Sequence, residues 1–228
     1  MSDFVLVHGA WHRAAVWAPV IAALEARGHR AIAPDLPSES VSAGAVQYAE
    51  AVAEAAKHAD RPTVVGHTLA GLTLPLLPSR MEVSRLVYVN ALLPDIGRSL
   101  AEQLTADSPA LNDDIGRNYD REARSFWPEE DAFRRLLAHD CSELQAATVF
   151  AQMRPQARRP IKEVTPLLEW PGVPSAAILY CDDVDLSPGW LWGVARERLG
   201  VEPVELRGSQ LGFVADPEGF VDALEALG

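Results

Sequence analysis

The sequence predicts an α/β protein with a mostly parallel β-sheet and helices on both faces of that sheet. Short apolar runs of strand length alternate with helical patterns along most of the chain, and this alternation is typical of a parallel sheet. The 228 residues, 48% of them apolar and 23% charged, are sufficient for one globular domain with a sizeable core. A long segment that breaks the alternation predicts an insertion.

The first part of the chain supplies most of the predicted elements. Its apolar runs are bounded by glycine and proline: Gly28 ends the first helix, and prolines at 34 and 37 close the second strand. The alanine-rich stretch that follows favours a helix with one apolar face. We therefore predict strands at 4–7, 30–33, 63–65 and 85–90, and helices at 17–27, 45–59 and 69–77.

The remaining part predicts two further strands, at 176–180 and 204–206, and a closing helix at 217–227. Between residues 94 and 172 the pattern is helical, with no convincing strand. We interpret 94–172 as an inserted helical cap, and 1–93 with 173–228 as the core. In parallel sheets the ligand crevice lies beyond the carboxyl ends of the strands, so the cap is expected to cover it.

Charge and composition exclude several classes of function. The net charge of -12 and the pI near 4.9 argue against nucleic acid and against anionic membrane surfaces. No apolar run approaches the ~20 residues of a membrane span, and Cys141 and Cys181 are too far apart in sequence to suggest a metal pair. We expect a cytoplasmic protein with reduced thiols that acts on a small molecule. The oligomeric state is left open, and a homodimer is one alternative.

No sequence motif indicates a cofactor. The chain contains no glycine-rich dinucleotide fingerprint, no P-loop and no clustered metal ligands. We therefore expect neither a bound cofactor nor a metal.

The most informative motif is VGHTLAG at residues 65–71. Its spacing, G-x-(nucleophile)-x-G, is that of a nucleophile elbow, a strained strand-to-helix turn that usually presents serine. Here the central residue is Thr68, and a β-branched side chain is harder to accommodate in such a turn. Thr68 is therefore predicted to be a poor nucleophile or one that no longer acts.

Together with other fragments, this motif resembles the α/β-hydrolase fold, in particular its small-capped branch of plant methylesterases, hydroxynitrile lyases and bacterial relatives. The resemblance covers nearly the full chain. The matching fragments are HGAWH at 8–12, GHR at 28–30, APDLP at 33–37, the elbow, FRRL at 133–136, HDC at 139–141, GSQ at 208–210 and DPE at 216–218.

The resemblance implies roles for several residues. The backbone N–H groups of Ala10 and Leu69 would form the oxyanion hole, which does not depend on their side chains. Among the carboxylates of 182–185, Asp183 fits the position of the catalytic acid best. The catalytic histidine is replaced by Gln210, which has no useful pKa and cannot accept a proton.

If the site uses a base, another histidine has to supply it. His12 follows the oxyanion loop and is the candidate for this base. For His8 and His67, packing and hydrogen bonding to the backbone are enough to explain why a histidine is present. The predicted pocket residues are Trp11, His67, Phe126 and Trp127.

Three functions remain open. The first is non-hydrolytic chemistry, such as cyclisation, elimination or isomerisation, on a small and largely apolar carbonyl compound held by the oxyanion hole. The second is slow or atypical ester hydrolysis with Thr68 as nucleophile. The third is an inactive paralogue that only binds the ligand.

Overall fold

The computed structural model of the protein describes residues 1–106 and 118–228; the part of the predicted cap at 107–117 lies outside the described residues. Its main sheet has six parallel strands in the order β2-β1-β3-β4-β7-β8. The strand predictions are confirmed to within a few residues. The strands are β1 Asp3–Val7, β2 Arg30–Ile32, β3 Thr63–His67, β4 Arg85–Val89, β7 Ser175–Tyr180 and β8 Val204–Leu206.

Helices cover both faces of this sheet, which explains why its central strands are continuous apolar runs rather than alternating ones. Val5, Val65 and Val87 are fully buried. The parallel register places Val7 beside Gly66 and His67 beside Val89. The helices are α1 Ala18–Ala26, α2 Ala45–Ala55, α3 Leu100–Ala106, α4 Glu130–Leu137, α5 Glu143–Phe150, α6 Arg159–Lys162, α7 Pro188–Leu199, α8 Gly212–Ala215 and α9 Pro217–Ala226.

Two predictions for the core differ from the structure. The predicted helix at 69–77 is instead a pair of 3-10 segments, Thr68–Leu72 and Leu74–Ser79. Pro75 and Pro78 lack the backbone N–H that an α-helix requires, so a regular helix is not formed there. No helix is predicted at α7, which lies between β7 and β8, or at α8, which follows β8.

The segment between β4 and β7 contains helices α3 to α6, as the helical pattern predicts. The expectation that it has no strand is wrong. Asn118–Tyr119 (β5) and Ser125–Phe126 (β6) form an antiparallel pair. Strands of two residues are too short to give a sequence alternation. The division into a core and a cap with boundaries at 94 and 172 stays a prediction.

In the part of the chain that the structure describes, no helix has both the length and the apolar character needed to cross a bilayer.

Candidate active site

The elbow lies where β3 ends at the carboxyl edge of the sheet. Thr68 adopts a left-handed φ of 44°, a conformation that is strained for a β-branched residue. A Cβ added to Gly71 would lie 2.5 Å from the carbonyl oxygen of Leu92, and one added to Gly66 would lie 2.4 Å from the Leu74 side chain. Both glycines of the motif are therefore required by close packing, and the predicted elbow is present.

The Thr68 side chain lies against the loop that follows β1. A Cβ built on Gly9 would lie 2.0 Å from Thr68 Oγ1 and 3.0 Å from His67 Nδ1. Thr68 is only 7% exposed, and its hydroxyl makes no hydrogen bond to any described residue. The hydroxyl is thus held beside the predicted oxyanion loop without a proton acceptor.

The loop at residues 8–12 is held by buried polar contacts. His8 Nε2 accepts hydrogen bonds from the Leu36 N–H at 3.0 Å and from Arg154 Nη2 at 3.1 Å. His8 Nδ1 therefore carries the proton and donates a hydrogen bond to the Gly9 carbonyl at 2.8 Å. Burial is the main cause that lowers the pKa of His8 to about 4, so this ring is neutral near pH 7.

Two backbone N–H groups are free to bind an oxyanion in the described part of the chain. The Ala10 N–H has no acceptor there, and the Leu69 N–H is in the first turn of a 3-10 segment, where no intrahelical acceptor is available. These are the donors that the resemblance implies, and their role stays a prediction.

Gln210 follows β8 and is 3% exposed. Its Nε2 donates to Asp185 Oδ2 at 3.2 Å, while its backbone carbonyl accepts from His67 Nε2 at 3.1 Å. Ser209 holds the same loop through a hydrogen bond from its Oγ to the Leu137 carbonyl. Gln210 is therefore fixed beside a carboxylate by a side chain that has no basicity; its correspondence to the catalytic histidine stays a prediction.

The carboxylate that contacts Gln210 is that of Asp185, whereas the sequence favoured Asp183. Asp183 instead orders its own turn: Oδ2 accepts from Asn90 Nδ2 at 2.7 Å, and Oδ1 accepts from the N–H groups of Asp185 and Leu186. Burial, together with the charge of Asp185, raises the pKa of Asp183 to about 7. Spacing could not separate these residues, because three carboxylates lie within four positions.

His12 and His67 are both buried, with ring centroids 5.9 Å apart. Burial lowers the pKa of His67 to about 3 and lowers that of His12 well below its ordinary value. His67 also packs against Trp17 and Phe213, consistent with a packing role. Burial therefore makes both rings weak proton acceptors, although His12 Nε2 has no partner among the described residues.

The predicted wall residues join the oxyanion loop to the segment 94–172. Trp11 Nε1 donates to Ser125 Oγ at 3.0 Å, and the Trp11 ring meets Trp127 edge-on with centroids 5.8 Å apart. Phe126 is half-buried in β6, where it pairs with Asn118. Trp11 and Trp127 thus lie together beside the loop.

Residues 1–106 and 118–228 contain no group of three or more His, Cys, Asp or Glu side chains arranged to hold a metal ion. The expectation that no metal is bound stays a prediction.

Comparison with known proteins identifies the family. The sequence model described as "Alpha/beta hydrolase family" matches residues 4–223. This chain belongs to the alpha/beta hydrolase family. Among curated relatives of this family member are the rice (Oryza sativa subsp. japonica) esterase PIR7B, 36% identical over 112 residues, and the Arabidopsis thaliana alpha-hydroxynitrile lyase, 32% identical over 106 residues. These alignments cover 43% and 40% of this chain and 42% and 40% of the relatives, so the chain spans about two fifths of their length.

Solved structures show the same fold for this α/β-hydrolase. Polyneuridine aldehyde esterase superposes with a TM-score of 0.83 at 19% identity, covering 100% of this chain and 99% of that one. An extracellular α/β-hydrolase from a Paenibacillus species gives a TM-score of 0.79 at 21% identity, with the same coverage. At these identities the likeness establishes the α/β-hydrolase fold.

One residue of this site was missed by sequence reasoning. Arg154, from the segment after α5, contacts the oxyanion loop at several points. Its partners lie more than 100 positions away in the sequence, and an isolated arginine gives no periodic signal. The motifs that carry the family resemblance locate the oxyanion loop in the sequence, but none of these motifs includes Arg154.

Proposed function

We propose that this α/β-hydrolase acts on a small, largely apolar carbonyl compound by non-hydrolytic chemistry, without a covalent bond to Thr68. The observation that supports this most directly is the Gln210 side chain. At the position that the resemblance gives to the proton acceptor, this side chain donates to Asp185. An amide can hold a carbonyl, a hydroxyl or a water, but it cannot take a proton from Thr68.

The predicted oxyanion hole supports the same proposal. The N–H groups of Ala10 and Leu69 have no acceptor in the described part of the chain. A preorganised oxyanion hole contributes a few kcal/mol to the transition state of any reaction in which a carbonyl oxygen gains negative charge. Cyclisation by attack on a carbonyl, and elimination or isomerisation through an enolate, meet that condition. The proton that leaves the substrate in the last two would pass to water, since burial weakens His12 and His67 as proton acceptors.

Nucleophilic attack by Thr68 would lack a strong base among the described residues. Thr68 Oγ1 lies against Gly9 with no described hydrogen-bond partner, and burial lowers the pKa of both His12 and His67. Removing one member of a catalytic triad costs several orders of magnitude, because its members act as a unit. A step that avoids deprotonation of Thr68 is therefore favoured.

A second candidate is slow ester hydrolysis with Thr68 as nucleophile. It is supported by the hydroxyl retained at the elbow, with the left-handed φ that an elbow requires, and by relatives that are named esterases. In this case water or His12 would have to assist the attack.

Covalent trapping tests the proposal. The native protein, Thr68→Val and Thr68→Ser/Gln210→His are each incubated with a fluorophosphonate and examined by intact-mass spectrometry. The proposal expects an adduct only in the double variant, which shows that the probe enters the site. An adduct on Thr68 of the native protein would favour the esterase instead.

Turnover then separates catalysis from binding alone. A panel of aromatic aldehydes, α-hydroxynitriles and enones is assayed with the native protein, Thr68→Val and the buried control Thr73→Val. The proposal expects turnover in all three proteins. Loss in Thr68→Val alone, or binding without turnover of any compound, would contradict it.

A further inference from the structure

Arg154 brings a buried cation from the segment between β4 and β7 to the loop that follows β1. It lies just after α5 and is 9% exposed. An arginine in such surroundings must satisfy its charge and its donors, because an unpaired buried charge is very costly. The groups that satisfy Arg154 belong to the core of the protein.

Most of these contacts are made to the oxyanion loop. The Arg154 backbone N–H donates to the Trp11 carbonyl at 2.9 Å, and Nε donates to the His12 carbonyl at 3.1 Å. Nη2 donates to the Leu36 carbonyl at 2.8 Å and to His8 Nε2 at 3.1 Å. One residue therefore contacts both ends of the 8–12 loop: His8 at its start, and Trp11 and His12 at its end.

The charge of Arg154 is balanced from the solvent side. Its guanidinium lies 3.5 Å from Asp35 Oδ1 and 3.9 Å from Glu39 Oε2, and both carboxylates are about half exposed. The planar guanidinium group carries several N–H donors in a fixed arrangement, which allows one side chain to reach these acceptors at once. A lysine ammonium group does not have that geometry.

The loop needs such restraint because it contains a strained residue. Trp11 has a left-handed φ of 64°, a conformation that is unfavourable for a side chain with a Cβ. The Arg154 backbone N–H bonds the Trp11 carbonyl, and its side chain reaches the other end of the loop through His8. Arg154 Nη2 donates to His8 Nε2, and His8 Nδ1 donates to the Gly9 carbonyl. The Gly9 carbonyl and the Ala10 N–H belong to the same peptide unit, so the orientation of that N–H depends on this chain of hydrogen bonds.

We propose that Arg154 is the positioning residue of the oxyanion loop, so that the segment carrying it helps to aim the Ala10 N–H rather than only forming a pocket wall. The inference rests on the proposed function only for the role given to Ala10. The placement of the loop by Arg154 can be tested without any turnover.

The first test is nuclear magnetic resonance on the ¹⁵N-labelled native protein, Arg154→Met, Arg154→Lys and the control Arg159→Met. Arg159 also reaches across from this segment to a core carbonyl, that of Ser42, at 2.7 Å. We expect the amide signals of residues 9–12 and the His8 ring nitrogens to shift in both Arg154 variants, and to stay in place in Arg159→Met. Equal shifts in the control, or an unmoved loop in a folded Arg154→Lys, would overturn the proposal.

The second test measures function in the Thr68→Ser/Gln210→His background, with 4-nitrophenyl acetate as the probe. Adding Arg154→Lys should lower kcat about tenfold or more, with KM changed less than twofold, because a misplaced oxyanion donor acts in the transition state. Guanidinium ion should partly restore kcat in Arg154→Ala. An unchanged kcat would overturn the role at Ala10. If the background hydrolyses no ester, the proposed function is in question, and the loop signals alone decide on Arg154.

Discussion

Gln210 donates its side-chain amide to Asp185 Oδ2 across 3.2 Å, and both residues are buried. An amide has no useful basicity, so this contact holds the Gln210 side chain in place but gives it no capacity to accept a proton. The same residue also accepts a hydrogen bond from His67 through its backbone. Gln210 is therefore held by two contacts, one through its side chain and one through its backbone carbonyl.

Gln210→Glu should destabilise the protein by roughly 3 kcal/mol at pH 7.5, because it places a second buried carboxylate beside Asp185. Lowering the pH to 5 should remove part of the cost, since a protonated glutamate can donate as the amide does. Urea unfolding at both pH values measures the change. Gln152→Glu, at an exposed position, should alter the free energy of unfolding by less than about 0.5 kcal/mol; equal effects would refute the buried contact.

Gly9→Ala should cost about 1–3 kcal/mol of stability, because its new Cβ would overlap Thr68 Oγ1 and approach the His67 carbonyl oxygen. Thr68→Ala should recover part of this loss in the double variant, which a double-mutant cycle would show as coupling. Gly193→Ala is the control. That glycine is exposed in α7 with no atom within 4 Å of the added Cβ, so it should gain up to about 1 kcal/mol. Additive effects of Gly9→Ala and Thr68→Ala would contradict the contact.

Asp183→Asn should flatten the pH dependence of stability. The pKa of Asp183 is raised by burial from 3.8 to about 7, so the folded protein binds more protons than the unfolded chain between those values. Its contribution to stability is therefore full below about pH 4 and declines as the pH rises to 7, by at most roughly 1.4 kcal/mol per pH unit.

Other groups oppose this slope, so the measurement is a difference between proteins. The lowered pKa values of His8 and His67 make stability rise with pH below 6.5. Urea titrations of the native protein, Asp183→Asn and the more exposed Asp95→Asn should show the change in slope only for position 183. Parallel curves for all three would show that Asp183 is ionised normally in the fold.

The sequence was sufficient to predict the sheet, because strands such as β3 and β4 are apolar runs of the right length between clear turn signals. The elbow could also be predicted, since its spacing is contained within the seven consecutive residues 65–71. A feature of the site can be predicted from the sequence when the residues that determine it lie close together in the chain.

The parts of the site that could not be predicted depend on distant contacts. Asp185 and Gln210 are 25 positions apart, and Arg154 meets His12 across 142. The choice between Asp183 and Asp185 depends on how their turn is hydrogen-bonded to Asn90, which no spacing reveals. The 3-10 geometry after Thr68 and the two-residue strands β5 and β6 likewise leave no periodic pattern.

The most direct test of the account is ester hydrolysis by the native protein, Thr68→Val and Thr68→Ser/Gln210→His, using 4-nitrophenyl acetate and butyrate. If the scaffold is intact and only its proton transfer is missing, the native protein and Thr68→Val should be equally slow. The double variant should then be faster by about 100-fold or more. Native hydrolysis that Thr68→Val abolishes would contradict the account and make the protein a threonine esterase.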